Sequence, residues 1–426
     1  MTQSPTGRGV RRTVLDNGIR ILTEKVDYVR SVSLGVWIRA GSRDETLEES
    51  GISHFLEHMV FKGTGRRSAL EIAQTLESVG GGLDAFTSRE HTCFLARVLG
   101  EDVSLAIDLI ADLVGGPSLT PDDVELEKQV VVEEIRSLED LPDELVHDQF
   151  ARCVWHDHAL KNSILGSEQS VGSLTSEKVR AYLEGRYTTD RIVVTAAGDL
   201  DHDEIVDGVR QCLGSVFRRP RENPPAQVEA FKPVVMNVRD LNQEHVYIGS
   251  RGVSYTHPDR YAVLLMASIL GGGMSSRLYQ SVRERSGLAY SVSSYAEFLT
   301  DSGLFGSYVA VSPGQAPAAI RLILQEIGRL KSEGVGEEEL ESVKAQTVGG
   351  LVIGMEGMNH RMSRLAKAET NGCAVEDIDD VIAAIREVTA DDIVRVLAQQ
   401  MRPGRVCLVG MGPVDERSVS DIDLVC

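Results

Sequence analysis

No stretch of this sequence approaches the roughly eighteen consecutive apolar residues of a membrane-crossing helix, so no span is expected. The basic start, Met1 to Arg12, leads into no apolar core, so a secretory signal is not expected either, and a cytoplasmic chain follows as the default. Paired cysteine motifs are missing too. The six cysteines, Cys93, Cys153, Cys212, Cys373, Cys407 and Cys426, include no C-x-x-C pair, which argues against a zinc ribbon or a disulfide framework and suits reduced thiols. Positive charge is in short supply. A formal net charge of −20 is unsuited to gripping phosphates, so no nucleic acid is expected as partner. The plain reading of that charge is solubility; the acids in Arg43-Asp44-Glu45-Thr46-Leu47-Glu48-Glu49 are candidates for steering basic peptides.

What is present is enough chain for two cores. At 426 residues, two domains of roughly two hundred residues each are expected. Thr13 to Leu22 reads as a hairpin around Asp16-Asn17-Gly18, and Ser31 to Ala40 as a half-buried strand. Ser68 to Val79 reads as a helix capped near Ser68, and Leu83 to Leu99 as a strand. Further helices are expected near 101–114, 121–140, 143–155 and 176–186, then a buried strand at Arg191 to Ala197. The proline-rich, charged stretch 218–234 reads as a linker between domains 1–217 and 235–426.

The second half repeats the first at a constant offset of 214: Val32-Ser33-Leu34-Gly35 falls on Val246-Tyr247-Ile248-Gly249, Arg191-Ile192-Val193-Val194 on Arg405-Val406-Cys407-Leu408, and Gly198 on Gly412. Two copies of one α+β domain are therefore expected, each a mostly antiparallel sheet packed with helices.

The chemistry gathers at His54-Phe55-Leu56-Glu57-His58. On a helix the two histidines are i and i+4 and share a face, with Glu57 beside them. Two neutral imidazoles at that spacing can hold one Zn²⁺, leaving room for a third ligand and a water whose proton Glu57 can take. At the same offset the second copy carries Ser268, Gly271 and Gly272, so only the first half can bind metal there. For the third ligand, the helix Asp122 to Leu138 offers several carboxylates. Glu134 is favoured because it continues a stripe with Glu127, Val130 and Val131 towards the core, whereas Glu133 points roughly 100° away. His156-Asp157-His158 reads as an exposed turn, and His91 and His245 as packed or surface residues.

The motif His54-Phe55-Leu56-Glu57-His58 followed by Glu127 and Glu134 resembles the pitrilysin/insulysin family of inverted-motif zinc peptidases, closest to its processing-peptidase β-subunit-like bacterial members. The resemblance spans nearly the whole chain. It implies a zinc metalloendopeptidase acting on peptides or unfolded polypeptide, with one Zn²⁺ per chain on His54, His58 and Glu134. Glu57 would be the general base and Glu127 an acid that orients a ligand. It also implies that Leu83, Asp84, Ala85, Phe86 and Thr87 form an edge strand pairing with extended substrate, although Asp84 stands where the family usually has Asn, and Leu160-Lys161-Asn162-Ser163 where relatives tend to turn on Gly and Pro. In the second half, Gly271, Gly272 and Gly273 resemble the family's glycine-rich loop, and Arg283 with Tyr290 its R-x6-Y pair, which holds substrate and stabilises the tetrahedral intermediate. Doubled-chain members imply a homodimer for a chain of this length. A non-catalytic core subunit of the same architecture is the alternative, though such subunits tend to lose motif residues that are intact here.

Overall fold

The computed structural model describes residues 9–156, 158–214, 234–414, 422 and 424. Its strands are β1 (Val10–Val14), β2 (Arg20–Lys25), β3 (Ser31–Ile38), β4 (Gly82–Thr87), β5 (Thr92–Leu99), β6 (Ile192–Gly198), β7 (Val234–Val238), β8 (Glu244–Gly252), β9 (Ala289–Phe298), β10 (Gly303–Val311) and β11 (Cys407–Gly412). The helices are α1 (Ile52–Met59), α2 (Ala69–Glu77), α3 (Val103–Gly115), α4 (Pro121–Glu139), α5 (Pro142–Val154), α6 (Glu168–Gly172), α7 (Ser176–Arg186), α8 (His202–Leu213), α9 (Arg260–Gly271), α10 (Ala316–Glu333), α11 (Glu337–Gly354), α12 (Met358–Thr370), α13 (Ile378–Glu387) and α14 (Ala390–Gln400).

They form two compact units, each a mixed sheet packed with helices. The first comprises Met1–Arg136, Asn162–Pro225 and Val352–Ile378; the second Ser137–Lys161, Ala226–Leu351 and Asp379–Cys426. The units thus cross the halves of the sequence, which exchange residues 137–161 and 352–378. Apart from Val234, which opens β7, the expected linker 218–234 lies outside the described residues.

In the first unit the sheet order is β1-β2-β6-β3-β5-β4, with β2 and β6 parallel and the other neighbours antiparallel. Among the described residues the second unit repeats this order from the β2 equivalent onward, as β7-β11-β8-β10-β9, again with one parallel pair, β7 and β11. Gly198 and Gly412, which the repeat aligns, both end a strand at positive φ, 135° and 118°, where side chains are disfavoured.

The exchanged segments explain a difference from expectation. β3 is buried on both faces rather than one. Val32, Leu34, Val36 and Ile38 meet the main core with α1 and α3, while Trp37 packs on the opposite face with Met362, Leu365 and Ala366 of α12. In the second unit Val146, Phe150 and Val154 of α5 cover Tyr247, Cys407, Val409 and Met411 in the same way.

The stretch 83–99 is two antiparallel strands, not one. Ser88 breaks it: its hydroxyl accepts from the backbone N–H of Glu90 at 3.3 Å and of His91 at 3.1 Å, and such side-chain bonds stabilise a turn. β4 is left as the sheet edge. His158 is buried rather than exposed, its Nδ1 accepting from Leu160 N. Among the described residues no helix is long and apolar enough to cross a membrane.

Candidate metal centre

Helix α1 is amphipathic. Ile52, Phe55, Leu56 and Met59 enter the first unit's core, which turns His54 and His58 together along a neighbouring face with ring centroids 4.6 Å apart. Opposite stands α4, seated in the core by Val124, Glu127, Val131 and Ile135. Val130 is 42% exposed, so the core-facing stripe of α4 is narrower than expected and leaves it out. Glu134 nevertheless lies on the flank facing α1: its Oε2 is 3.6 Å from His54 Nε2 and 3.7 Å from His58 Nε2. Glu133 points outward and pairs with Arg136 at 2.6 Å.

These separations test whether a metal fits. Bonds of about 2.0–2.1 Å in tetrahedral array hold ligand atoms roughly 3.3–3.5 Å apart, so the trio needs only a small contraction. One ligand atom from each of His54, His58 and Glu134 lies within 4.8 Å of the others, the sole such group of three among the described residues. The tautomer also suits. Glu127, 2% exposed, places Oε1 2.9 Å from His58 Nδ1, and since an ionised carboxylate only accepts, Nδ1 carries a proton and Nε2 is the nitrogen left for a metal. Burial pushes His58 down, but Glu127 and Glu134 outweigh it and raise it, so a metal would displace a proton from Nε2. Lys62 sits 2.5 Å from the other Glu127 oxygen. Burial pushes the Glu127 carboxyl up, but the hydrogen bonds from His58 and Lys62 outweigh it and hold the group below the usual range. Burial, reinforced by neighbouring His58, pushes His54 down to about 4, which keeps it neutral as a ligand must be.

Glu57 is on the same helix, 8% exposed, and Thr87 at the end of β4 donates to its Oε2 at 2.5 Å. Burial raises the Glu57 carboxyl above its ordinary range and the Thr87 bond opposes that. The Thr87 contact with Glu57 was not legible in the sequence, where Thr87 was one residue of a binding strand. Along β4, Leu83 and Ala85 pack toward the core, while Asp84 and Phe86 turn to the other face. Asp84 Oδ1 accepts from Ala85 N at 2.8 Å, and Phe86 packs edge-on against Trp37 and near His91.

The acids before α1 are not the surface cluster expected. Arg43 pairs with Glu90, Asp44 accepts from Arg191 at 3.0 Å, and Glu45 is buried; Glu48 is exposed. The argument for steering basic peptides through this stretch therefore falls.

The remaining expected residues lie in the second unit. Gly271 ends α9 and Gly272 and Gly273 follow it. The Arg283 guanidinium lies 4.4 Å from the Tyr290 ring centroid and 4.8 Å from that of Tyr279, and Nη1 donates to the Tyr290 carbonyl at 2.8 Å. Tyr290, near the start of edge strand β9, is 79% exposed.

Residues 20–168 match the family profile described as Insulinase (Peptidase family M16), and residues 173–347 that of the Peptidase M16 inactive domain. A Mycobacterium leprae protein named an uncharacterized zinc protease is 39% identical over 95% of this chain and 92% of its own length. The chain belongs to peptidase family M16. A Bacillus subtilis M16 relative, also named an uncharacterized zinc protease, is 38% identical over 92% of this chain and 95% of its own. The M16 fold extends to solved structures: a protease from Helicobacter pylori superposes with a TM-score of 0.90 at 21% identity, covering 96% of this chain and all of the other. A Pseudomonas fluorescens structure titled as a peptidase M16 inactive domain gives 0.89 at 19% identity, covering 95% of this chain and 98% of the other.

Proposed function

We propose that this M16 chain is a zinc metalloendopeptidase that hydrolyses peptide bonds in extended polypeptide or precursor segments. The observation that carries the reading is the meeting of His54, His58 and Glu134 from two helices, with Glu57 on the same turn as the histidines. Zinc held by those three residues would supply Lewis-acid polarisation of the scissile carbonyl and of water. Glu57 takes a proton from the attacking water and returns it to the leaving amine, using Oε1 because Thr87 engages Oε2. Glu127 keeps the His58 ring in the ligating tautomer. Edge strand β4 receives the substrate as an added strand, the Asp84 side chain giving up its bond to Ala85 N, and this backbone pairing gives affinity that tolerates many sequences.

The exposed Tyr290 and its Arg283 partner serve the same reaction by stabilising the oxyanion, and two copies of the chain associate so that this pair reaches the metal centre of the other copy. Mixing Glu57→Gln with Tyr290→Phe chains under subunit exchange then restores part of the activity. A mixture as inactive as its parents removes the shared site. The reading as a whole is tested by metal analysis beside cleavage of a quenched peptide library with products identified by mass spectrometry. One zinc per chain together with cleavage supports it; neither zinc nor cleavage returns the chain to a non-catalytic subunit of the same architecture.

A further inference from the structure

Helix α1 is eight residues long and starts on a residue that cannot cap it. Gly51 has φ 90°, and a Cβ there would lie 2.6 Å from the carbonyl oxygen of Leu165, so no Ser, Thr, Asp or Asn can take the position. The first N–H groups of a helix have no partner inside it and must find one elsewhere. Here the partner comes from six residues upstream. Glu45 Oε2 accepts from Gly51 N at 2.8 Å, and Oε1 accepts from Ser53 N at 2.9 Å. Both oxygens of one carboxylate are committed to the first turn of the helix that carries His54, Glu57 and His58.

Glu45 is 5% exposed, and among the described residues no cation pairs with it. Burying a carboxylate in this way is among the most costly things a core can do. Burial pushes it up to about 7, against the pull of the hydrogen bonds from Ser53 and Gly51. Its mounting is firm. Arg186 at the end of α7 donates to the Asp44 carbonyl at 2.7 Å, and Arg191 donates to the Asp44 carboxylate. Tyr182, one turn before Arg186, holds its hydroxyl 2.7 Å from Ser53 Oγ. The residue next to ligand His54 is thus fastened through its backbone by Glu45 and through its side chain by Tyr182.

A second observation says why this matters for the site. His58 is aimed by its hydrogen bond to Glu127, whereas the buried Nδ1 of His54 has no hydrogen-bond partner. With no hydrogen bond behind it, the His54 ring takes its direction from the backbone of α1 and from packing against His58. We propose that Glu45 is a positioning residue of the metal centre: by fixing the first turn of α1 it aims His54 at Glu134 on the separate helix α4. This rests on the reading of His54, His58 and Glu134 as metal ligands.

The test is Glu45→Gln in the full-length chain, which keeps the volume but sets an amide N–H against a backbone N–H. Chelator competition should give a zinc Kd weakened by about 10–100-fold, the range typical when a partner behind the ligands is lost. The visible spectrum of the Co²⁺-substituted chain should change in intensity or position, since it reports ligand geometry. A helix cap without a positioning role predicts otherwise: a lower melting temperature of the metal-free chain, with zinc Kd and Co²⁺ spectrum as in wild type, and that result overturns the proposal. If Glu45→Gln does not fold, Glu45→Asp, which keeps the charge but draws the oxygens back by one methylene, is read by the same two measurements. A wild-type chain that binds no zinc would sink the metal reading itself before any variant is compared.

Discussion

The two units place one frame under opposite demands, most plainly where the helix after the central strand approaches the sheet edge. In the first unit that helix is α1, and Glu57 reaches across to Thr87 on edge strand β4. In the second it is α9, the corresponding residue is Gly271, and a Cβ there would lie 2.3 Å from Ser294 N on edge strand β9. One copy leaves room between helix and edge for a carboxylate and its hydrogen bond. The other brings backbone to backbone. The incapacity of the second copy is therefore built into its spacing as well as into the loss of two histidines, and restoring the side chains alone would not restore a site.

The comparison can be broken most severely at Glu134, the proposed third ligand. Glu134→Ala should weaken zinc binding beyond the roughly 10–100-fold typical of supporting partners, and peptide hydrolysis should fall with it. Glu133→Ala should leave both within about twofold, because it removes only a surface ion pair worth about 0–1 kcal/mol. Metal titration of both variants decides, and the reverse ranking would mean that the neighbouring carboxylate is the ligand. Next in size is the contact unique to the first unit. Thr87→Val should lower kcat by roughly 10–100-fold, corresponding to a hydrogen bond to a charged group of about 1.5–3 kcal/mol, with zinc content and KM unchanged, and Thr87→Ser should recover most of it. Steady-state kinetics beside metal analysis checks this; a fully active Thr87→Val enzyme would make the contact incidental. The smallest change sharpens the other side. Gly271→Ala should destabilise the chain by about 1–3 kcal/mol, as overpacking does, and leave zinc affinity alone. Urea unfolding of the metal-free chain, with m unchanged, reads it; a variant as stable as wild type would show that α9 and β9 can part freely.

Much of this centre was legible because it follows local periods. The i, i+4 spacing of His54 and His58 and the 100° step between Glu133 and Glu134 depend only on helical geometry, so they survived even though Val130 was assigned to the wrong face. The internal repeat was legible in Gly198 and Gly412, whose backbones need positive φ in both copies. What was hidden depends on distant partners. An amphipathic helix announces an apolar face but not the sheet that will receive it, so nothing in the sequence assigned α12 to Trp37 or α5 to Tyr247, and β3 was expected to have a solvated side. Glu45 was hidden for a related reason. It is buried with both oxygens on the backbone of Gly51 and Ser53, and an acid in an acidic run reads as surface until those contacts are known.

The central claim, that the first unit holds a metal site with Glu57 as its base, is tested most directly by Glu57→Gln. The amide fills the same space but cannot accept a proton. The variant should retain one zinc per chain while turnover of a quenched peptide falls by about 10²–10⁴-fold, the usual contribution of a positioned acid–base group. Substantial activity in a zinc-loaded Glu57→Gln chain would contradict the account and remove Glu57 from the base role.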